Sequence, residues 1–504
     1  MTPPNILLIL CDELRADALG YSGNPVIHTP NIDRLARDGA ALTQCMVTQP
    51  TCTPSRASIL TGCYPSALRS RMVGCVTPDD PRFLPRVLAH NGYHTASIGK
   101  LHLVPQRAEP EAVEHTLSAR REYYGFQAVD LVNGHGDQCF GSQYTQWLEN
   151  QVPDWKARLD QRRKLDTGLD AFTWELPPEV HSSNYIADRA VEFLRNAGDK
   201  PFFLHVSFPD PHYPFVAPEP YASMYEPAAM PTPLPPVTAS SDLPPLHYDV
   251  YFNRRDKPQR DHVIGTPPRD YFRCSTADWQ QVKATYYGMI SLLDHHVGRI
   301  LATLDSTGLA ENTLVVFLSD HGDYLGDHGF YGKGLHYDSV LRVPLILRGP
   351  GVIPGQTIDS ITSTLDVAPT LLDFARVSEP EGIQGVSMRP LLTKEARALR
   401  DAALTENDDD SVPMRMRTLT TARWKLTVYA TQAYGELFDR RNDSAEMINL
   451  WNHADYARIK QQLIRRLLEE TLCSIDMLNG RVQHPASVVP KWTTVGKADE
   501  QLSM

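Results

Sequence analysis

Short apolar runs that end abruptly in ionisable residues are the main pattern along this chain. Four runs share it: NILLIL leads to Asp12-Glu13, HTASIG to Lys100 and His102, FFLHVSF to His212, and LVVFLS to Asp320-His321. Unbroken apolar runs of this length are typical of strands buried on both faces of a parallel sheet. Because the carboxyl ends of such strands meet at one edge of the sheet, the four polar clusters are expected to converge on one site.

Helical periodicity fills the segments between these runs. It is clearest in NIDRLARDGA, in NYIADRAVEFLRNAG after a capping signal at Ser182-Ser183, and in YYGMISLLDHHVGRILATLDSTG. The alternation of strands and helices predicts an α/β fold with a large, mostly parallel, doubly wound sheet flanked by helices. Residues 105–180 and the proline-rich residues 209–246 are expected to form long loops that shape a substrate pocket.

The α/β rhythm stops after TLDVAPTLLDFARV, and the following GIQGVSMRPLL is typical of a crossing linker. Beyond it, MRTLTTARWKLTVYA and GELFDRR predict antiparallel strands, and ARIKQQLIRRLLEETL predicts an amphipathic helix. We therefore expect a catalytic domain over residues 1–380 and a small C-terminal α+β domain with an antiparallel sheet over residues 381–504.

Bulk composition narrows the classes of partner. The chain has 504 residues and a net charge of −11, with dispersed Lys and Arg, so nucleic acid is not an expected partner. Its apolar runs are too short to cross a bilayer and it shows no signal peptide, which predicts a cytoplasmic protein without a membrane partner. The eight cysteines contain no C-x-x-C pair, which argues against a disulfide scaffold or a zinc ribbon.

The polar clusters contain the parts of a metal site for an anion. Asp12, Glu13, Asp320 and His321 would supply an oxygen-rich set of ligands if their two strand ends lie side by side. Five cations lie in the clusters or their loops: Arg56, Lys100, His102, His212 and Lys333. Collected around one metal, they would surround a tetrahedral oxyanion with positive charge, as sulfuryl or phosphoryl transfer requires.

Cys52 opens a short predicted helix in QPTCTPSRASILTG. Thr53 is a suitable N-cap, Pro54 suits the first helical position, and Gly62 ends the helix. A thiolate at a helix N-terminus would have a lowered pKa and could be a nucleophile. However, the spacing from Cys52 to Arg56 is too short for the loop of cysteine phosphatases, and a cysteine protease would need a positioning histidine rather than a metal.

The segment CTPSRASILTG resembles the signature of the type I, formylglycine-dependent sulfatases of the alkaline phosphatase superfamily. The resemblance continues through PNILLILCDELRADALGYSGN, NGYHTASIGKLHL, PFFLHVSFPDPHYPF and NTLVVFLSDHGDYLGDHG, and covers most of residues 3–376. It implies a sulfuric ester hydrolase, similar to arylsulfatases, whose substrate is a small-molecule or saccharide sulfate ester.

The family pattern implies a role for each matching position. Cys52 would be converted to formylglycine (3-oxoalanine) by a formylglycine-generating enzyme, and Arg56 would hold the hydrated aldehyde. The metal ligands would be Asp12, Glu13, Asp320, His321 and residue 52. Lys100 and Lys333 would bind the sulfate oxygens. His102 would act on the diol of the formylglycine, and His212 would contact the leaving group. His336 follows Lys333 closely enough to be a further candidate for substrate binding.

The implied reaction passes through a covalent sulfate ester of residue 52. One hydroxyl of the hydrated aldehyde attacks sulfur while an acid protonates the departing alcohol. A base, for which His102 is the candidate, then removes the proton of the second hydroxyl, so that the carbonyl re-forms and sulfate leaves.

Two positions depart from the most familiar sulfatase pattern. Asp320-His321 stands where many members have Asp-Asn, and Asp12-Glu13 stands where many have Asp-Asp. Since an imidazole ligand shifts preference away from Ca²⁺, we expect one divalent ion, Ca²⁺ first with Mn²⁺ close behind. Phosphonate monoester and phosphodiester hydrolases of the superfamily also carry Asp-His, which makes that activity the alternative. A binding protein that lacks catalysis is less favoured, because none of the metal acids is missing.

Several tempting features have simpler interpretations. His295-His296 lies inside an amphipathic helix and is expected to pack or to face solvent. NGHGDQC, at 133–139, is interpreted as a loop turn that borders the pocket rather than as a second metal site. The acids of 408–410 predict a solvated loop, with Glu406 or Asn407 able to reach the pocket. The extension after Arg481 could pack on a neighbouring chain, so a homo-oligomer is possible.

Overall fold

The fold is described from a computed structural model, which describes residues 3–119, 121–135, 141–167, 169–236, 274–409 and 414–475. Its strands are β1 (Asn5–Cys11), β2 (Ala40–Met46), β3 (His94–Gly99), β4 (Ala128–Leu131), β5 (Ala171–Thr173), β6 (Phe202–Phe208), β7 (Phe215–Ala217), β8 (Thr313–Ser319), β9 (Arg342–Arg348), β10 (Gln356–Ser363), β11 (Ala402–Asp409), β12 (Met414–Thr421), β13 (Trp424–Tyr429) and β14 (Gly435–Asp439). The α-helices are α1 (Pro30–Asp38), α2 (Cys52–Thr61), α3 (Pro65–Leu68), α4 (Leu84–His90), α5 (Glu109–Ser118), α6 (Gln143–Gln151), α7 (Trp155–Asp160), α8 (Ser182–Arg195), α9 (Thr276–Ser306), α10 (Asp338–Leu341), α11 (Val367–Ala375), α12 (Arg389–Leu392) and α13 (Ala457–Cys473).

Eight strands form the central sheet in the order β10-β2-β9-β8-β1-β6-β3-β4. Every neighbouring pair is parallel except those of β9, which runs antiparallel to β2 and β8. The four apolar runs of the sequence are β8, β1, β6 and β3, and they are consecutive in the sheet. The expected large, mostly parallel sheet is therefore confirmed, and the four strands open their polar carboxyl ends side by side.

Strand β1 shows why these runs are apolar. All seven of its residues are buried. Leu7 and Ile9 face one hydrophobic core, whereas Ile6, Leu8 and Leu10 face a second core on the other side of the sheet. Since successive side chains of a strand point to opposite faces, a strand covered on both faces must be apolar at every position.

The helices confirm the predicted periodicity and correct its limits. Helix α8 begins at Ser182, but its cap is His181, whose Nδ1 accepts from the Ser183 N–H at 3.3 Å. Helix α9 begins ten residues before the predicted segment, with a capping box between Ser275 and Asp278. In that helix His296 is buried and His295 is exposed, as the amphipathic pattern predicts.

The expectation of long loops over residues 105–180 was wrong. The described part of that stretch holds α5, α6 and α7 with β4 and β5. These elements are short: β4 has four residues and α7 has six. Elements of this length contain too few turns or alternations for a period to stand out.

The C-terminal segment forms a four-stranded antiparallel sheet, β11-β12-β13-β14, as expected. Helix α13 packs on it through Ile459, Leu463 and Leu467. The expected solvated loop at 408–410 was wrong for its described part, because Asp408 lies in β11, where its carboxylate pairs with Arg417 at 2.8 Å. The boundary at residue 380 stays a prediction, and the extension after Arg481 lies outside the described residues.

This C-terminal sheet packs against the part of the chain that forms the central sheet. The Glu406 N–H donates to the Thr48 carbonyl at 2.8 Å, so β11 is tied to the segment that precedes α2. Tyr64 and Leu365 of the larger sheet's helices and turns belong to the hydrophobic core of the C-terminal sheet. Among the described residues, none of the helices has both the length and the apolar character needed to span a bilayer.

Gly99, the last residue of β3, offers a test of how the strand ends are packed. Its φ is +102°, and a Cβ there would lie 1.9 Å from the Ser207 carbonyl oxygen of β6. Gly92 also has a positive φ, +87°, but a Cβ there would meet nothing within 4 Å. We expect Gly92→Ala to lower the free energy of unfolding by about 1–2 kcal/mol. Gly99→Ala, which adds overpacking against backbone, should lower it by more than about 3 kcal/mol.

Urea titration of both variants checks this pair. Equal losses of free energy would show that the left-handed backbone alone sets the cost, and that β3 and β6 do not meet as closely as described.

Candidate active site

The four strand ends converge on the first residue of α2. Cys52 Sγ lies 3.6 Å from Asp12 Oδ1, 3.2 Å from His321 Nε2 and 3.5 Å from Lys333 Nζ. Cys52 is 2% exposed, and Asp12 and His321 are fully buried. The predicted convergence of residues from distant parts of the chain on one site is thus observed.

Helix α2 starts two positions earlier than its cap signals predict. It runs from Cys52 to Thr61, its N-cap is Thr51 in an extended conformation, and every helical residue is buried. The predicted N-cap at Thr53 was wrong. No N–H group in the first turn of a helix has a partner within the helix, so a proline is tolerated anywhere in that turn and Pro54 does not mark the first residue. Gly62 does end the helix, in the left-handed conformation with φ 69°.

The Cys52 thiol is not activated by its position. Burial, followed by the nearby Asp12 carboxylate, raises the pKa of Cys52 to about 12, and Lys100 and Lys333 only partly oppose the rise. The interpretation as a thiolate with a lowered pKa was therefore wrong. Desolvation and an adjacent negative charge outweigh the helix N-terminus.

Asp12, Cys52, Asp320 and His321 form a buried group that could hold a metal ion. One ligand atom from each residue lies within 4.8 Å of all the others. His321 Nδ1 donates to the Gly322 carbonyl at 3.0 Å, so the lone pair of its Nε2 is left for a metal. Two carboxylates, an imidazole and a fourth donor at position 52 suit a divalent cation, and the residues therefore fit the metal that the sequence implies.

Glu13 lies beside this group rather than within it. Its Oε2 is 3.1 Å from Lys333 Nζ and 3.1 Å from His212 Nε2. Burial raises the pKa of Glu13 well above its usual range, against the opposing charge of Lys333. The Asp323 carboxyl behaves similarly, since burial raises its pKa to about 6. Ligation of a metal by Glu13 stays a prediction.

Arg56 binds three of the strand ends at once. Its Nε donates to Asp320 Oδ2 at 2.7 Å, and one terminal nitrogen donates to the Lys100 carbonyl and to Ser207 Oγ, both at 2.9 Å. The other terminal nitrogen is 3.7 Å from Asp12 Oδ2. Arg56 is 1% exposed, and this second terminal nitrogen makes no hydrogen bond among the described residues.

Lys100 and His102 follow β3 into the same site. Lys100 Nζ forms an ion pair with Asp12 Oδ2. His102 has a positive φ of 56°, and the carboxylate of Glu109 accepts from its N–H at 2.9 Å. Burial, then the charge of Lys100, lowers the pKa of His102 well below its usual range, so its ring is neutral. Its Nδ1 has no hydrogen-bond partner among the described residues.

The loop that carries Lys333 rests on the C-terminal sheet. His336 is buried, and its Nδ1 shares a hydrogen bond of 2.5 Å with Thr418 Oγ1 of β12. Asn407 Nδ2 of β11 donates to the Gly334 carbonyl at 2.7 Å. His336 thus contacts the C-terminal sheet, and its binding of substrate stays a prediction.

The segment NGHGDQC was expected to border the pocket, and its residue His135 lies in the site, whereas residues 136–139 lie outside the described residues. Its Nε2 lies 2.5 Å from Lys100 Nζ and 3.2 Å from Asp12 Oδ2. Burial, then Lys100, lowers the pKa of His135 to about 3. The available signal was its position four residues after Leu131, the end of β4, because β4 is a further parallel strand whose carboxyl end faces the same edge.

Comparison with known proteins shows which proteins this chain is similar to. A family model described as Sulfatase matches residues 4–377, and one described as N-sulphoglucosamine sulphohydrolase, C-terminal, matches residues 326–472. The chain is 30% identical to an arylsulfatase of Clostridium perfringens, over 93% of this chain and 94% of that protein. It is also 30% identical to the multifunctional alkaline phosphatase superfamily protein PehA of Trinickia caryophylli, over 78% of each. Among solved structures, the phosphonate monoester hydrolase of Agrobacterium radiobacter matches with a TM-score of 0.78 at 27% identity, covering 94% of this chain and 96% of that chain.

The high pKa of the Cys52 thiol gives a test of the site's electrostatics. In protein produced without a maturation enzyme, the rate of alkylation of Cys52 by iodoacetamide should rise about tenfold per pH unit from pH 8 to pH 10. The rate for N-acetylcysteine in the same tube should level off above about pH 9. Residue-resolved mass spectrometry measures both, and a plateau for Cys52 near pH 7 would show that the thiolate is favoured.

Proposed function

This chain belongs to the sulfatase family and is a sulfate-ester hydrolase by that membership, and we propose that it cleaves an aryl, alkyl or carbohydrate sulfate monoester with a formylglycine made from Cys52. One observation carries the proposal. Cys52 Sγ lies within 3.6 Å of Asp12 Oδ1, His321 Nε2 and Lys333 Nζ, at the centre of a buried group of acids and cations. Conversion to an aldehyde hydrate gives the same position a hydroxyl nucleophile with a second hydroxyl beside it.

The residues around position 52 support the first half of the reaction. Lys100 and Lys333 bind the sulfate oxygens, and Arg56 positions the aldehyde hydrate of residue 52. One hydroxyl of residue 52 gives its proton to the Asp12 carboxylate, whose Oδ1 lies 3.6 Å from Cys52 Sγ, as its oxygen forms a bond to sulfur and the bond from sulfur to the alcohol oxygen breaks. A proton held between Glu13 Oε2 and His212 Nε2, which are 3.1 Å apart, passes to the departing alkoxide.

The second half returns residue 52 to its aldehyde form. His102, whose neutral ring has an unpaired Nδ1 among the described residues, takes the proton of the remaining hydroxyl. The carbonyl re-forms with that electron pair, and the bond between carbon and the sulfate oxygen breaks. Sulfate leaves, and water rehydrates the aldehyde.

A divalent cation held by Asp12, Asp320, His321 and an oxygen of residue 52 would polarise the attacking hydroxyl. We propose Ca²⁺ first and Mn²⁺ second, because two carboxylates favour a hard cation while one imidazole favours a transition metal. Metal analysis of the purified protein tests this order. The proposal also makes a formylglycine-generating enzyme the partner that matures this chain.

A phosphonate monoester or phosphodiester hydrolase is the second candidate. It is favoured by His321 in the metal group and by the phosphonate monoester hydrolase among the similar structures. The same nucleophile and cations would serve it, since sulfuryl and phosphoryl groups are both tetrahedral oxyanions.

Replacement of Cys52 tests the nucleophile. Cys52→Ser removes both the site of conversion and the second hydroxyl, so we expect kcat on an aryl sulfate to fall by at least about a thousandfold. Cys75→Ser, a partly exposed cysteine away from the site, should keep full activity. In the active protein, the mass of the tryptic peptide that ends at Arg56 should be lower than that of the cysteine form. Full activity with an unmodified Cys52 would contradict the proposal.

A comparison of two esters decides between the candidates. With one leaving group, p-nitrophenol, we expect kcat/KM for the sulfate monoester to exceed that for the phenylphosphonate monoester by at least about tenfold, because Lys100 and Lys333 would bind the three terminal oxygens of a sulfate, whereas a phosphonate monoester offers only two. A clear preference for the phosphonate would place the second candidate first.

A further inference from the structure

We propose that His135 is a positioning residue of this active site, which holds the Lys100 ammonium through Nε2 and supports the His212 ring by stacking. The proposal rests on the proposed function, because Lys100 and His212 are assigned there to sulfate and to the leaving group. Neither contact follows from the sequence pattern, which places the segment of His135 only at the border of the pocket.

Three polar groups surround Nε2 of His135. Lys100 Nζ can only donate, and it lies 2.5 Å from His135 Nε2. Gln106 Nε2, a second donor, lies 3.3 Å from the same atom, and the Asp12 carboxylate, which can only accept, lies 3.2 Å from it. When Nδ1 carries the hydrogen, Nε2 has a lone pair for the Lys100 ammonium. His135 Nε2 is therefore placed to receive the ammonium beside Asp12.

The loop itself is anchored where it meets Lys100. Asn133 Nδ2 donates to the Gln106 carbonyl, which ties the His135 loop to the segment that follows β3. The His135 side chain is 10% exposed, so the contact with Lys100 is shielded from water. A lysine side chain has four flexible bonds, and two neighbouring groups, Asp12 and His135, together restrict where its charge can stand.

The ring of His135 has a second function. Its centroid is 3.7 Å from that of His212, and the two planes differ by 9°. His212 in turn faces Glu13 through Nε2 and the Tyr213 carbonyl through Nδ1. The edge of the His212 ring is thus held by polar contacts, and its face is held by His135.

A second metal site is the rival interpretation of the same residues. Asp12, His135 and His212 place three ligand atoms within 4.8 Å of one another, which could hold a cation. However, the Lys100 ammonium already stands against both Asp12 and His135. A side-chain cation therefore takes the place that a second metal would need, and the protein should bind one equivalent of metal.

Two substitutions separate the roles of the ring and of the acceptor. His135→Gln keeps an oxygen acceptor near the position of Nε2 but removes the ring. His135→Phe keeps a ring against His212 but removes the acceptor. The matched controls are His90→Gln and His90→Phe, on the exposed last residue of α4. For all four variants and the wild type, calorimetry gives the affinity for inorganic sulfate, and kinetics give kcat and KM on the better of the two nitrophenyl esters.

We expect the two variants to fail in different ways. His135→Phe should weaken sulfate binding and raise KM by at least about tenfold, because the lysine charge loses an acceptor. His135→Gln should keep sulfate affinity within about twofold and lower kcat by about tenfold, because His212 loses its support. The His90 variants should match the wild type in all three quantities.

Other results would overturn the proposal. Equal losses in both His135 variants would mean that the residue only fills space, and unchanged values in both would mean that it has no role. Two equivalents of metal in the wild type and one in the His135 variants would establish the second metal site instead. If one variant does not fold, as judged by its thermal midpoint, the other still decides through its predicted split between affinity and kcat. A wild type that binds sulfate but hydrolyses neither ester would refute the proposed function, while the sulfate affinities would still test His135.

Discussion

One buried guanidinium organises the site on which the rest of this structure converges. Arg56, from the first turn of α2, donates to groups at the ends of β3, β6 and β8 and lies close to the Asp12 carboxylate after β1. The carboxylates of Asp12 and Asp320 would repel each other in a medium of low polarity if no cation lay near both of them. Removal of a single partner from such a group costs about 3–5 kcal/mol, because a charge is then left buried and unpaired. Strand order, helix position and site chemistry are thus linked through one side chain.

The same balance explains why the site is polar where the sheet is apolar. Asp12, Glu13 and Asp320 are fully buried, and they are matched by Arg56, Lys100 and Lys333, each at most 3% exposed. A metal would add positive charge to this set, and an anionic substrate would add negative charge. Because its three acids and three cations are balanced, the site can bind a metal and an anionic substrate without a large net charge.

Fully buried strands were predictable, because a strand covered on both faces is predominantly apolar, as β1 is after Asn5. Prediction was less successful where charges are paired locally. The acids of 408–410 look like a solvated loop in sequence, yet Asp408 lies in β11 and faces Arg417 of the neighbouring strand. The contacts of His135 could not be predicted because β4 has only four residues and an exposed first position, so its apolar signal was weak. The thiol pKa of Cys52 was misjudged because helix capping is a local signal, whereas desolvation depends on residues hundreds of positions away.

The support of the Lys333 loop by Asn407 and Thr418 has a consequence for how this chain comes to completion. Every residue assigned to chemistry precedes residue 340, so a product that stops near residue 380 would carry the whole set. It would lack both strands that contact Gly334 and His336, and it would keep only the contacts of Tyr324 with Gly332 and Leu335 on the same loop. The C-terminal strands therefore complete the support of a loop whose reactive residue is encoded far earlier in the chain.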